Sequence, residues 1–284
     1  MFEALFQYQF LQNAVISAIL TSIACGIIGT IVIERNLVMM SGGIAHTAFG
    51  GVGMGYFLSI EPMVGALLFA VTAAISTVVV KKRTNTNVDV VMGMFWSLGM
   101  ALGILFIALT PTYPPSLSSY LFGDILTVSR RELWMMGVLN SIIIITVVML
   151  FQSIKGCLFD EEFSYVLGLP VDLLDYIIMI LIALTIVLLI RVVGIILIIA
   201  LLTAPGAIAR RLTYNLESMM LYAIGLGMVF SLTGLWLSYQ FNVPSGAAIV
   251  VVACISYLLT IPICNYRERI PRVDAERTLT RADL

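Results

Sequence analysis

The chain has 284 residues, of which 61% are apolar and only 11% are charged, and its formal net charge is −1. Soluble proteins average roughly 45–50% apolar and 25% charged residues, so this chain lacks the polar groups needed to cover a water-facing surface of its own size. The composition excludes a soluble globular domain and a disordered chain. It predicts an all-α polytopic membrane protein.

Nine apolar segments approach the length of about 20 residues that a membrane-spanning helix needs. They cover residues 11–33, 37–59, 62–80, 89–110, 132–152, 171–190, 193–209, 217–239 and 244–263. The sixth and seventh segments meet at residues 191–193, so an eight-span count is the alternative. Nine of the 31 charges fall in the last 18 residues. We therefore expect a membrane domain over residues 1–266 and a cytoplasmic charged tail over residues 267–284.

The distribution of lysine and arginine predicts the orientation. If the N-terminus lies outside, twelve of the 15 basic residues fall on the inner side, and only Arg130, Arg131 and Arg191 fall on the outer side. Basic residues concentrate in the cytoplasmic loops of membrane proteins. This bias predicts an odd number of spans, an N-terminus outside, a cytoplasmic C-terminus and a multi-pass location in the cell membrane.

Two connections are too long to be simple turns. The outer one, 111–131, contains a short apolar stretch that we expect to be re-entrant or interfacial. The inner one, 153–170, holds the segment 159–169, in which three acidic residues precede apolar positions and a glycine, a pattern typical of a short helix. This inner segment is either an interfacial helix or a docking element. Its candidate docking residues are Phe159, Asp160, Glu161, Glu162, Tyr165, Leu167, Gly168 and Leu169.

The second apolar segment differs from the others because it carries six glycines between Gly42 and Gly55 and the only histidine, His46. Small residues favour close helix packing in membranes, although they also leave open space beside the imidazole. The candidate packing residues are Gly42, Gly43, Gly50, Gly51 and Gly55. An ionisable side chain inside a span is costly and indicates function, and imidazole binds transition metals. His46 is therefore a candidate metal ligand or relay.

Other polar features are weaker. Asp89 begins the fourth segment, where an acidic residue caps a helix more readily than it binds a metal ion. Asp124 lies in the outer connection and is either solvated or placed to meet an incoming cation. The sequence contains no paired groups for serine or aspartyl catalysis and no P-loop motif, so we predict no catalytic residues. It also lacks the basic surface that a nucleic-acid-binding protein needs.

Four stretches resemble the permease subunit of zinc, manganese and iron ABC importers, and the resemblance covers nearly the whole chain in order. Ser-Gly-Gly-Ile-Ala-His-Thr-Ala-Phe-Gly-Gly stands at 41–51, after Glu34 and Arg35. Tyr-Leu-Phe-Gly-Asp-Ile-Leu stands at 120–126, and Leu-Gly-Leu-Pro-Val stands at 167–171. The longest stretch covers 193–211 and ends in a proline, small residues and a basic pair.

The resemblance implies a homodimeric path for a divalent metal ion, which is cargo rather than a tightly bound cofactor. It implies two cytoplasmic ATP-binding subunits, an extracytoplasmic metal-binding lipoprotein, and a coupling role for 159–169. Many family members carry an aspartate four residues before the histidine, whereas this chain has Gly42 there. The alternative function is a carrier or channel that is not driven by ATP, and a membrane-embedded enzyme is a weaker third.

Overall fold

The computed structural model describes residues 8–83, 88–111, 123 and 125–262, and within them the fold is helical. A 3₁₀ turn, Ile125–Thr127, precedes the fifth helix. The ten helices are α1 (Gln9–Glu34), α2 (Val38–Phe57), α3 (Pro62–Arg83), α4 (Val88–Leu109), α5 (Arg130–Phe159), α6 (Glu161–Val166), α7 (Val171–Val193), α8 (Ile195–Leu212), α9 (Leu216–Phe241) and α10 (Ser245–Pro262).

Nine of the described helices have 18 residues or more, and each coincides with one of the nine predicted segments. Eight of them are long and apolar enough to cross a membrane. The other is the glycine-rich α2, most of whose residues are buried among its neighbours. The prediction of an all-α polytopic membrane protein is confirmed.

Two boundaries differ from the prediction. Helix α5 continues to Phe159 rather than ending near residue 152, because polar residues such as Gln152 and Lys155 end an apolar run without ending a helix. Helices α7 and α8 are joined by Gly194 alone, whose φ of 79° and ψ of 159° interrupt the helical path. Glycine adopts a positive φ at low cost because it has no Cβ, so the break falls at Gly194.

Ion pairs bring the ends of several helices together, and we call this part of the bundle the charged end. Arg35 follows α1 and pairs with Asp175 of α7, while Lys82 of α3 lies 2.7 Å from a carboxylate oxygen of Asp172. Arg210 of α8 lies 3.2 Å from Glu34 of α1. Three of the basic residues that the sequence analysis assigned to one side of the membrane therefore share one end of the fold.

Helices α2 and α3 pack closely at Gly51 and Gly65, where an added Cβ on either residue would overlap the carbonyl oxygen of the other. We therefore expect Gly51→Ala to lower the free energy of unfolding by about 1–3 kcal/mol, the usual cost of overpacking. Thermal unfolding of the purified protein in detergent measures this loss.

Gly93 of α4 is the matched control, because an added Cβ there meets no atom of the described residues within 4 Å. Alanine is a better helix former than glycine by about 1 kcal/mol, so Gly93→Ala should leave stability unchanged or slightly raised. Equal stability of the two variants would contradict the close α2–α3 contact.

Candidate functional site

His46 lies near the middle of α2, where its partly buried side chain meets two residues of α4. Its imidazole stacks on the indole of Trp96, with ring centroids 4.1 Å apart and ring planes 11° apart. The Nδ1 atom lies 3.4 Å from the Sδ atom of Met100. The stacking orients the imidazole, and the thioether sulfur is a second potential metal ligand beside it.

Small residues allow α2 and α4 to approach closely around His46. An added Cβ at Gly50 would lie 2.7 Å from the carbonyl oxygen of Gly99, and one at Gly43 would lie 3.1 Å from Sδ of Met92. The hydroxyl of Thr47 donates to the carbonyl oxygen of Phe95 on α4 over 3.1 Å. These contacts with α4 fix the turn of α2 that carries the imidazole.

Asp89, one of the two predicted acidic ligands, lies away from this site. Asp89 is exposed in the first turn of α4, and Trp96 and Met100 lie roughly 10–16 Å further along the helix axis at 1.5 Å per residue. Asp124 lies outside the described residues. Among the residues that the structure describes, no three histidine, cysteine, aspartate or glutamate side chains come together as a metal-binding group.

A group of charges at the charged end was missed by the sequence analysis. Arg35 pairs with Asp175, and only 10% and 6% of these side chains are exposed. Lys81 of α3 lies 3.4 Å from the second carboxylate oxygen of Asp175 and 3.3 Å from Glu161 of α6. We call Arg35, Lys81, Glu161 and Asp175 the charge network. Asp175 lies inside a predicted span, and an ionisable residue there was a signal of function.

The charge network lines a cavity of about 250 Å³, which Met40 of α2 and Cys157 of α5 also line. The Nη2 atom of Arg35 is buried and finds no hydrogen-bond partner among the described residues. Burying an ion pair costs several kcal/mol per ion before the attraction between the charges compensates. The attraction compensates this cost only while the two side chains stay in contact. Movement of α3, α6 or α7 would therefore change the contacts that form the cavity wall.

Helix α6 presents an apolar surface at the charged end. Asp160 caps it by accepting a hydrogen bond from the backbone N–H of Phe163 over 2.9 Å, and Gly168, with φ of 78°, follows its last turn. Ser164 is buried against the bundle, whereas Phe159 is 96% and Tyr165 is 70% exposed. The large apolar side chains that share this exposure are Phe159, Phe163, Tyr165, Val166 and Leu167.

Large exposed apolar patches are typical of interaction surfaces. We call these five residues the α6 surface. Of the other predicted docking residues, Glu162 and Gly168 are exposed, and Leu169 is partly buried. A coupling function for 159–169 stays a prediction.

Comparison with known proteins decides the family. A family model described as the ABC 3 transport family matches residues 7–263. The chain belongs to this family. The resemblance to permeases of metal ABC importers is thereby confirmed, and the eight apolar helices agree with a multi-pass protein of the plasma membrane.

Relatives of this ABC 3 family member are similar over most of their length. An uncharacterized membrane protein of Synechocystis sp. is 44% identical over 255 residues, which cover 90% of this chain and 91% of that protein. The manganese transport system membrane protein MntC of Listeria monocytogenes is 34% identical over 257 residues, which cover 90% of this chain and 91% of that protein. One chain in the solved structure of PsaBC from Streptococcus pneumoniae in complex with Fab is 31% identical to this chain, with a TM-score of 0.82. The match covers 91% of this chain and 93% of that chain.

Proposed function

We propose that this ABC 3 family member is the membrane-spanning subunit of an ATP-driven importer of a divalent transition metal ion, with two copies forming the path. The observation that carries the proposal is the partly buried His46 of α2, which stacks on Trp96 of α4 in a chain of this family. The relative MntC of Listeria monocytogenes is named for manganese transport, which supports a metal ion as cargo.

The sequence has no P-loop, so ATP is hydrolysed by separate subunits. The α6 surface supports a docking role, because side chains such as Phe159 and Tyr165 leave a large apolar area exposed beside Asp160 and Glu162. Large exposed apolar patches are typical of surfaces that a partner covers. We assign the ATP-binding subunits to this surface and place the charged end in the cytoplasm.

The charge network connects the α6 surface with the helix that carries His46. Glu161 of α6 contacts Lys81, Lys81 contacts Asp175, and Asp175 contacts Arg35. Arg35 lies in the short connection from α1 to α2. Movement of α6 by an ATP-binding subunit therefore changes the packing at the start of α2, which couples ATP hydrolysis to access of the path from each side.

His46 suits transit rather than storage of an ion. A permeation site must attract the ion strongly enough to replace part of its water shell and weakly enough to release it. One imidazole and one thioether give a small donor set, and water or the second copy completes the coordination. Delivery from an extracytoplasmic metal-binding lipoprotein supplies the ion at the opposite end of the bundle.

Uptake into vesicles tests this function directly. The protein is purified with its ATP-binding subunits, reconstituted, and supplied with the binding lipoprotein and a radioactive divalent metal ion. We expect accumulation with ATP and none with a non-hydrolysable analogue. Equal accumulation without ATP would contradict an ATP-driven importer and would favour a carrier or channel.

Docking at the α6 surface gives a separate prediction. Tyr165→Glu adds a charge to an exposed apolar side chain, and desolvating that charge in an apolar interface is costly. We expect recovery of the ATP-binding subunit with the tagged permease to fall by roughly tenfold, which corresponds to about 1.4 kcal/mol. Tyr165→Phe keeps the apolar area and should retain the partner. Normal recovery with Tyr165→Glu would exclude this surface from docking.

A further inference from the structure

The potential metal ligands at His46 are unusual for a path that carries a hard metal ion. The imidazole faces the thioether of Met100 at 3.4 Å and the indole of Trp96. Helix α2 contains no acidic residue, and the only acidic residue of α4 is Asp89, at its far end. The side chains that α2 and α4 place here are therefore a nitrogen donor and a sulfur donor, with no carboxylate.

The distance between the two donors fits a single bound ion. Zinc binds histidine nitrogen at about 2.0–2.1 Å and cysteine thiolate sulfur at about 2.3 Å. With a thioether bond of that length or slightly longer, ligand atoms 3.4 Å apart subtend roughly 95–100° at the ion. That angle is close to the tetrahedral value that zinc prefers. An ion can therefore contact Nδ1 of His46 and Sδ of Met100 without a change of backbone.

The chemistry of this donor pair discriminates between metals. Imidazole suits zinc, copper, iron and nickel, and thioether sulfur is a soft ligand, whereas manganese prefers carboxylate, carbonyl and water oxygens. Manganese also forms the weakest complexes in the series of first-row divalent ions. The imidazole and thioether that α2 and α4 offer within the described residues thus stabilise zinc more than manganese.

We propose that Met100 is a specificity-determining residue and that, with His46, it makes the path favour zinc over manganese. The inference rests on the proposed function, since it concerns the ion that passes His46. It goes beyond that function because it assigns a role to Met100 and a direction to the selectivity, and this direction differs from the metal named for the relative from Listeria monocytogenes.

The experiment compares initial uptake rates of radioactive zinc and radioactive manganese in the same reconstituted complex. Met100→Leu keeps an apolar side chain of similar volume and removes the sulfur. We expect the ratio of the zinc rate to the manganese rate to fall by roughly tenfold. A ratio is the chosen readout because a structural defect lowers both rates together.

Gly42 offers the converse variant. It lies one helical turn before His46, on the same face of α2, and an added Cβ there would lie 3.5 Å from Cζ3 of Trp96, an ordinary contact distance. Gly42→Asp adds an oxygen donor, and we expect it to raise the relative rate for manganese. Gly42→Leu has a similar size without an oxygen ligand and should leave the ratio near that of the wild type.

The outcomes separate this inference from the proposed function. A lower zinc preference in Met100→Leu supports the assignment, and a gain for manganese in Gly42→Asp but not in Gly42→Leu shows that the side chains beside His46 set the ratio. An unchanged ratio in Met100→Leu, with ATP-driven uptake retained, overturns the role of Met100 and leaves the importer function intact. Absence of ATP-driven uptake by the wild type overturns both.

Discussion

Replacing Asp175 with asparagine is expected to lower the free energy of unfolding by about 3–5 kcal/mol, because it leaves the buried guanidinium of Arg35 without its carboxylate. Both side chains are at least nine-tenths buried, and Lys81 also approaches the same carboxylate. Asparagine keeps the size of the side chain and removes only the charge. Thermal unfolding of the purified protein in detergent measures the effect.

Asp172→Asn is the matched control, because Asp172 pairs with Lys82 but 71% of its side chain is exposed. Exposed ion pairs contribute about 0–1 kcal/mol, so this variant should unfold close to the wild-type temperature. The double variant Arg35→Met with Asp175→Leu removes both charges and should recover much of the lost stability. If Asp175→Asn were as stable as Asp172→Asn, the buried pair would not be an important contact.

The same variants examine the proposed coupling route. The double variant keeps the helices packed but breaks the connection from Glu161 through Lys81 to the start of α2. We expect its complex to hydrolyse ATP while transporting less metal for each ATP consumed. Wild-type coupling in that complex would show that movement of α6 reaches α2 by another route.

The membrane-spanning helices could be predicted from the sequence because an apolar segment in lipid must satisfy its own backbone hydrogen bonds, which it does by forming a helix. The long helices follow the apolar segments for this reason. The end of α5 was harder, since Lys155 and Gln152 are compatible with a helix that leaves the membrane. The break at Gly194 was located to within a few residues.

The candidate site could be predicted only in part. His46 was found because a single ionisable residue in a glycine-rich span is conspicuous. Met100 was not found, since its contact with His46 joins α2 and α4, and 15 methionines gave no reason to choose this one. The pair between Arg35 and Asp175 connects residues far apart in the chain, so only the folded structure shows that two charges share one buried position.

His46→Ala is expected to have the largest effect on transport. Alanine removes the only imidazole of the chain and the ring that stacks on Trp96, so the ion loses its nitrogen donor while α2 and α4 keep their glycine contacts. We expect the initial rate of metal uptake to fall by roughly tenfold or more, equivalent to about 1.4 kcal/mol or more in the barrier. Stability should change less than in Asp175→Asn.

Met94→Ala provides the matched comparison for transport. Met94 lies on α4, and 68% of its side chain is exposed on the outside of the bundle. Its truncation removes apolar volume from the same helix without touching the donors at His46. The complex with Met94→Ala should therefore assemble normally and transport metal at nearly the wild-type rate.

The central claim is that metal ions cross the membrane past His46. The most direct measurement is the initial rate of ATP-driven zinc uptake by vesicles that contain equal amounts of assembled wild-type, Met94→Ala or His46→Ala complex. We predict loss of uptake in His46→Ala alone, with unchanged recovery of the ATP-binding subunits. Wild-type uptake kinetics in an assembled His46→Ala complex would contradict the claim.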